Sequence, residues 1–168
     1  MSEELQRLDF PKSLAELDSV GTIPIAESLP HHHVVAAIFV RDVPDAIGIG
    51  HRQILACRRG YGKWEGWWEF PGGKVLPGED AEAALHREIG EELEVSMEVL
   101  RRYGTIDYRY DDFDMTMDLY LCRLSDGPVA LNAHSAVRWC AADDLAELRW
   151  LPADVRLVGR WTADGFDF

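Results

Sequence analysis

Three glutamates in one short segment have the spacing of a metal site. Glu88, Glu91 and Glu92 are spaced i, i+3 and i+4, so a helix over residues 80–93 would place their carboxylates on one face within one turn. Each like-charged pair at that spacing costs about 0.2–0.5 kcal/mol on an exposed helix. Mg²⁺ is bound in proteins by a few carboxylates together with substrate phosphates. The spacing therefore favours a metal–phosphate site, and a solvated acidic helix face is the alternative.

Residues before and within this helix suggest a close approach by backbone or ligand. Gly72 and Gly73 lack a Cβ, so their backbone can come near a phosphate, and Lys74 adds a positive charge beside them. An apolar stripe lies opposite the acids, so we expect the acidic face to point away from the core. Gly90 costs about 1 kcal/mol relative to alanine in a helix interior, which indicates that backbone or a ligand packs against it.

The spacing of these residues resembles a known sequence motif. Gly73 is followed after five residues by Glu79, and after seven more by Arg87-Glu88-Ile89-Gly90-Glu91-Glu92. The segment resembles the Nudix box, G-x5-E-x7-R-E-U-x-E-E-x-G-U, where U is a bulky aliphatic residue, and it matches at every charged position. The last glycine of the motif is Glu94 here. Because a left-handed glycine commonly ends a helix, this departure concerns the helix exit rather than the acids.

The resemblance implies a role for each residue of the box. Mg²⁺, with Mn²⁺ as a substitute, would be bound by four oxygen donors: the Gly72 carbonyl and the carboxylates of Glu88, Glu91 and Glu92. Arg87 would orient the acids, and Glu79 would support them from the start of the helix. Lys74 and Arg58 would bind the polyphosphate of the substrate. For Arg58, an exposed strand end is the alternative.

One acid of the wider pattern is missing. Members of the MutT-like branch of the family often have a glutamate immediately before a loop histidine, where it acts as an extra ligand or base. Here that position is Ala133, before His134. We therefore assign the general base to the helix, to Glu91 first and Glu88 second. His134 is an alternative base, and a hydrogen bond that anchors its loop is its competing role.

The residues flanking the box are most similar to the MutT-like branch, which includes oxidised-nucleotide and CTP pyrophosphohydrolases. This resemblance implies hydrolysis of a nucleoside triphosphate to a monophosphate and pyrophosphate. Two alternatives stay open. One is a dinucleotide-type substrate such as ADP-ribose, and the other is a non-catalytic module that senses a nucleotide.

Asp154 is the candidate residue for recognition of the base. It follows Pro152 and Ala153, at a position where MutT-like relatives that recognise 8-oxoguanine have an asparagine. An ionised aspartate only accepts hydrogen bonds, so it would favour the exocyclic amine of cytosine or adenine. CTP-hydrolysing relatives also have Pro-Ala-Asp there, and we expect cytosine nucleotides, including modified ones, over 8-oxo-dGTP. A helix cap or a solvated acid is the alternative.

Composition and charge exclude several other functions. The chain of 168 residues has 30 acidic and 17 basic residues and a net charge of −13, which opposes duplex binding. It is compatible with the small-molecule nucleotide that the resemblance implies as partner, bound through a metal. The sequence has neither an apolar run that could span a membrane nor the features of a signal peptide, so we expect a cytoplasmic protein. Three cysteines without metal-like spacing are expected to be reduced core residues: Cys57, Cys122 and Cys140.

The rest of the chain must fold so that it positions the candidate site residues. Apolar and alternating segments predict strands at 34–40, 54–59, 67–70, 99–111, 113–123 and 136–140, the first two paired as a hairpin. Helices are expected at 80–93, near 143–148 and from Pro152. His31-His32-His33 is interpreted as a polar strand entry, with a metal site as the alternative. The resemblance implies an α/β/α sandwich with a mixed β-sheet over residues 31–168, preceded by an arm over 1–30 that leaves a homodimer open.

Overall fold

The computed structural model describes residues 28–44, 48, 50–125 and 127–168, so most of the predicted arm lies outside the described residues. One mixed sheet contains the seven strands of this part of the chain. They are β1 (His31–Pro44), β2 (Gly50–Arg59), β3 (Trp68–Glu69), β4 (Gly72–Lys74), β5 (Met97–Arg109), β6 (Asp114–Leu124) and β7 (His134–Cys140). The central order is β3-β2-β1-β6-β5, with β4 paired to β1 and β7 to β2.

The strand directions make the sheet mixed, as predicted. β1 and β6 are parallel, whereas the β1–β2, β1–β4, β2–β3, β2–β7 and β5–β6 pairs are antiparallel. The predicted hairpin between the first two strands is confirmed by pairing from Val40 with Ile54 to Pro44 with Gly50.

Two α-helices and a 3-10 helix accompany the sheet. They are α1 (Ala81–Leu93), the 3-10 helix (Ala142–Glu147) and α2 (Val155–Asp164). Asp80 caps α1, since its side chain accepts hydrogen bonds from two backbone N–H groups of the first turn at 3.0 and 3.1 Å. α2 begins at Val155 rather than at Pro152. The chain before it is held in a turn, because the Leu151 N–H bonds to the Trp68 carbonyl and the Asp154 N–H to the Leu151 carbonyl.

The helices cover opposite faces of the sheet and create two cores. On one face, Leu85 and Ile89 of α1 pack against the same cluster as Phe39 of β1. On the other, Trp161 of α2 shares a cluster with Leu119 of β6. The α/β/α sandwich is therefore confirmed. No helix in the described ranges has the length and hydropathy of a membrane span.

The three cysteines are distributed between these cores. Cys57, Cys122 and Cys140 are buried free thiols, and burial raises the pKa of each. The prediction of reduced core cysteines is confirmed.

The glycine segment before α1 forms a short strand. Gly72–Lys74 pairs with Val34–Ala36 of β1. Gly72 has φ +153°, and a Cβ there would lie 2.0 Å from the Val35 carbonyl oxygen. Gly72 is thus required by the close passage of β1, which sequence spacing alone could not reveal.

The histidine triplet forms the beginning of β1. His31 Nε2 lies 3.0 Å from the hydroxyl of Thr116, and His33 Nε2 lies 2.8 Å from a carboxylate oxygen of Asp118. His31 and His33 are exposed. These contacts to β6 support the polar strand entry over the metal alternative.

Candidate active site

Arg87 organises the acids of the box. Its guanidinium makes a bidentate contact with Glu79 at 2.8 and 2.9 Å and donates to Glu88 at 2.7 Å. The nitrogen that contacts Glu88 lies 3.8 Å from Glu91 Oε1. Arg87 also donates to the Lys74 carbonyl at 3.0 Å. The Arg87 guanidinium therefore holds two acids of α1, Glu88 and Glu91, and also connects the helix to β4.

Glu79 is fixed in its ionised form. The guanidinium of Arg87, followed by the Leu76 N–H at 2.9 Å, lowers the Glu79 pKa to about 2. Glu79 therefore stays charged and keeps Arg87 in place across the physiological pH range.

The acidic face of α1 lies outside the apolar core and faces β4 through two of its carboxylates. A Cβ on Gly73 would lie 2.3 Å from the carboxyl carbon of Glu88. The Gly72 N–H donates to Glu92 Oε2 at 3.2 Å. Glu91 remains open to solvent, with 62% of its side chain exposed. The paired glycines make this approach possible because they leave room for two carboxylates.

Glu92 has an unusual protonation equilibrium. Burial raises its pKa to about 7, with the charges of Glu69 and Glu88 acting in the same direction and His134 and the Gly72 N–H opposing them. Glu92 is therefore protonated more readily than an ordinary glutamate.

Gly90 does not pack against protein. A Cβ at this position would meet no atom within 4 Å, and the residue is exposed. The expectation of a closely packed backbone is wrong. Contact with a ligand stays a prediction.

The donor set suits a hard divalent cation. Carboxylate and carbonyl oxygens are the ligands that Mg²⁺ takes in proteins, and Glu88, Glu91 and Glu92 lie on one face of α1 beside Gly72. Across the described residues, no three acidic, histidine or cysteine side chains converge in a ready metal-binding arrangement. Arg87 bonds to Glu88, and the Gly72 N–H bonds to Glu92.

The two predicted phosphate-binding residues contact other groups. Lys74 Nζ lies 3.4 Å from His32 Nε2. Arg58 donates to the Ser135 hydroxyl at 2.9 Å and lies 5.9 Å from the Trp68 ring centroid. Neither residue has a described contact with the acids of the box, so phosphate binding by either stays a prediction.

A buried polar cluster behind the acids was not predicted from the sequence. Its centre is Glu69, which accepts from Arg59 at 2.7 Å and lies 3.2 Å from His134 Nε2. The His134 side chain is 1% exposed, so it anchors the loop and cannot act as a solvent-exposed base. One nitrogen of each partner, Arg59 Nε and His134 Nδ1, has no hydrogen-bond partner. The period of two in β2, where Leu55 and Cys57 face α1, would have singled out Arg59 over Arg58.

Asp154 also belongs to this buried region. It is 3% exposed, its Oδ1 has no partner, and it makes no side-chain cap although it occupies the N-cap position of α2. Burial, followed by the charge of Glu69, raises its pKa well above the usual value. Asp154 is therefore neither solvated nor a side-chain cap. Its burial disfavours the ionised form that was expected, and recognition of the base stays a prediction.

Tyr110 belongs to a group of aromatic side chains. Burial and then the charge of Asp154 raise the pKa of Tyr110 to about 12. Tyr110 stacks on Phe113 at 4.7 Å and lies 6.1 Å from Trp64, which contacts Trp67 edge-on at 4.7 Å. Trp68 packs against the core. Trp68 therefore has a structural role, whereas Trp64 and Trp67 contact other aromatic rings.

A groove next to this region separates β5 from α2. It has a volume of about 980 Å³ and is lined by Tyr108, Pro152, Ala153 and Leu157 among others. The groove reaches the two residues that precede Asp154, whereas the acids of α1 do not line it.

This fold and site are those of a known class of proteins. The crystal structure of a MutT Nudix hydrolase from Burkholderia pseudomallei is similar to this chain with a TM-score of 0.63 and 28% identity, covering 76% of this chain and 95% of that one. The sequence model of the NUDIX domain matches residues 31–161. The chain therefore belongs to the Nudix family.

Two relatives with named activities narrow the class of reaction. A Mycobacterium tuberculosis protein named "Putative 8-oxo-dGTP diphosphatase 2" is 35% identical over 126 residues, which cover 73% of this chain and 84% of that protein. The CTP pyrophosphohydrolase of Escherichia coli is 30% identical over 132 residues, which cover 77% of this chain and 90% of that protein. Together with the family match, they identify this chain as a hydrolase of phosphoric anhydride bonds.

Proposed function

We propose that this chain is a Mg²⁺-dependent pyrophosphohydrolase that converts a nucleoside triphosphate to a monophosphate and pyrophosphate. The observation that carries the proposal is the set of acids around Arg87, two of them within 4 Å of one guanidinium nitrogen. The names of the two relatives, both nucleoside triphosphate hydrolases, give the substrate class.

The proposed metal ligands are the Gly72 carbonyl and the carboxylates of Glu88, Glu91 and Glu92. A bound Mg²⁺ would offset phosphate charge and lower the pKa of a water molecule. Arg87, fixed by Glu79, orients Glu88 and Glu91 for this role. Mn²⁺ meets the same oxygen ligands and is expected to substitute.

Glu91 is the proposed general base, with Glu88 second. Glu91 has 62% of its side chain exposed and lies 3.8 Å from Arg87, whereas Glu88 is bound to Arg87 at 2.7 Å. The Glu88 carboxylate is less available to a water molecule because it accepts from Arg87. The burial of His134 beside Glu69 supports its competing role as an anchor of the loop.

Asp154 is the proposed contact to the base. A protonated carboxyl both donates and accepts, so it can pair with the N3 and the exocyclic amine of cytosine. The Escherichia coli relative named for CTP supports this choice. The same carboxyl can pair with the O6 and N1–H of an oxidised guanine, and the Mycobacterium tuberculosis relative makes 8-oxo-dGTP the second candidate.

Product analysis over a substrate panel tests the proposal. The panel contains CTP, dCTP, the other nucleotides, 8-oxo-dGTP and ADP-ribose, each with Mg²⁺ and with EDTA. We expect pyrophosphate and monophosphate from a nucleoside triphosphate, and no turnover in EDTA. Preferential cleavage of ADP-ribose would assign the dinucleotide-type alternative. Binding of nucleotide without any product would assign the sensing module.

A further inference from the structure

The helix that carries the proposed metal ligands ends without the glycine of the box. Glu94 has φ 53° and ψ 36°, which is the left-handed conformation. Among the residues that the structure describes, it is the single non-glycine residue with positive φ. A Cβ is disfavoured there, and glycine is the usual residue at this point. The last turn of α1, with Glu91 and Glu92, therefore needs support from outside the helix.

Asn132, in the loop before β7, provides that support. Its backbone N–H donates to the Glu92 carbonyl at 3.1 Å, and its side-chain Nδ2 donates to the Glu91 carbonyl at 2.9 Å. The same Nδ2 donates to Glu94 Oε1 at 2.8 Å. These carbonyls belong to the last turn of the helix, which has no intrahelical donors of its own. Asn132 thus bonds to two carbonyl groups at the end of α1 and also holds the side chain of Glu94.

The loop that carries Asn132 is itself fixed to the sheet. The Gly60 N–H donates to the Ala133 carbonyl at 3.0 Å, and a Cβ on Gly60 would lie 3.0 Å from that oxygen. The next residue, His134, is buried beside Glu69. The loop is therefore held by contacts next to β2 and in β3, and Asn132 connects it to the end of α1.

We propose that Asn132 is a positioning residue that fixes Glu91 and Glu92 for metal binding and compensates for Glu94 in place of glycine. It acts through the helix and touches neither substrate nor metal. The inference rests on the proposed function, because the two glutamates are assigned as ligands there.

The Mg²⁺ dependence of hydrolysis by Asn132→Ala tests the inference. Loss of groups that orient metal ligands typically weakens metal binding about 10–100-fold, so we expect the half-saturating Mg²⁺ concentration to rise about tenfold or more. The KM of the nucleotide at saturating Mg²⁺ should change less than about twofold by the same reasoning. Leu131→Ala is the matched control, since Leu131 is an exposed neighbour in the same loop, and it should keep the wild-type Mg²⁺ dependence.

A second substitution separates positioning from general damage to the fold. Glu94→Gly in the Asn132→Ala background removes the strain at the helix exit, and we expect it to restore the Mg²⁺ dependence to within about threefold of wild type. An unchanged Mg²⁺ dependence in Asn132→Ala, or no rescue by Glu94→Gly, would overturn the inference. Wild-type hydrolysis that does not need Mg²⁺ would instead refute the proposed function, so the two failures are distinguishable.

Discussion

Replacing Glu92 by glutamine should change how the stability of the metal-free protein depends on pH. The Glu92 carboxyl is driven towards its protonated form by burial and by the nearby charges of Glu69 and Glu88, which raise its pKa from 4.5 to about 7. Glutamine resembles the protonated acid, does not titrate, and can still accept the Gly72 N–H. The substitution therefore removes the titration of Glu92 and keeps the hydrogen bond from the Gly72 N–H.

The sign and size of the effect follow from the pKa shift. As the pH rises from 4.5 to about 7, the unfolded chain loses the Glu92 proton while the folded protein keeps it. Ionisation thus favours the unfolded state, and folding stability falls in this interval and is constant above it. At about 1.4 kcal/mol per pKa unit, the upper limit is about 3 kcal/mol. Partial solvent exposure reduces this, and we expect Glu92→Gln to be about 1–3 kcal/mol more stable than wild type at about pH 8.

Urea unfolding in EDTA at several pH values between about 5 and 8 measures this difference. Glu91→Gln is the matched control, because Glu91 is mostly exposed, and its stability should follow wild type. Parallel curves for wild type and Glu92→Gln would refute the burial argument. Clear destabilisation by Glu92→Gln would show that the carboxylate is structural. With Mg²⁺ added, the wild-type Tm should rise more than that of Glu92→Gln, which should also lose most activity.

Three further substitutions test other parts of the site. Asp154→Asn should lower kcat/KM for the preferred base by about 1–3 kcal/mol relative to the other substrates, because a buried pairing is lost; equal losses for CTP and 8-oxo-dGTP would mean that Asp154 does not read the base. Ala133→Glu should raise turnover or tighten Mg²⁺ binding if the added acid reaches the metal, and an unchanged Mg²⁺ titration would contradict this. Arg87→Lys should lower kcat by about tenfold or more, since lysine cannot make the bidentate contact with Glu79 and also hold Glu88; full activity would contradict the orienting role.

The sequence was sufficient for the features that depend on local spacing. The acids one helical turn apart predicted α1 and its shared face, and apolar runs predicted the hairpin of β1 and β2. Asp80 before the helix matched its observed start. These features depend on residues a few positions apart, and local periodicity encodes them directly.

The features that could not be predicted depend on contacts between residues far apart in the chain. Gly72 is required because β1 passes within contact distance, and the Glu94 conformation is supported by Asn132 from a loop 38 residues later. Asp154 is buried where the chain before α2 is bound to β3, and this burial disfavours the ionised form on which base recognition was argued. A local sequence pattern gives no information about such long-range packing.

Glu69 connects the two functional ends of the proposed site. Arg59 and His134 contact it from one side, while its charge raises the pKa values of both Glu92 and Asp154. Burial is the larger cause for both carboxyls, and the charge of Glu69 adds to it. In the proposed function, a cation that binds Glu92 would compete with a proton near neutral pH, so we expect metal binding to be coupled to proton release.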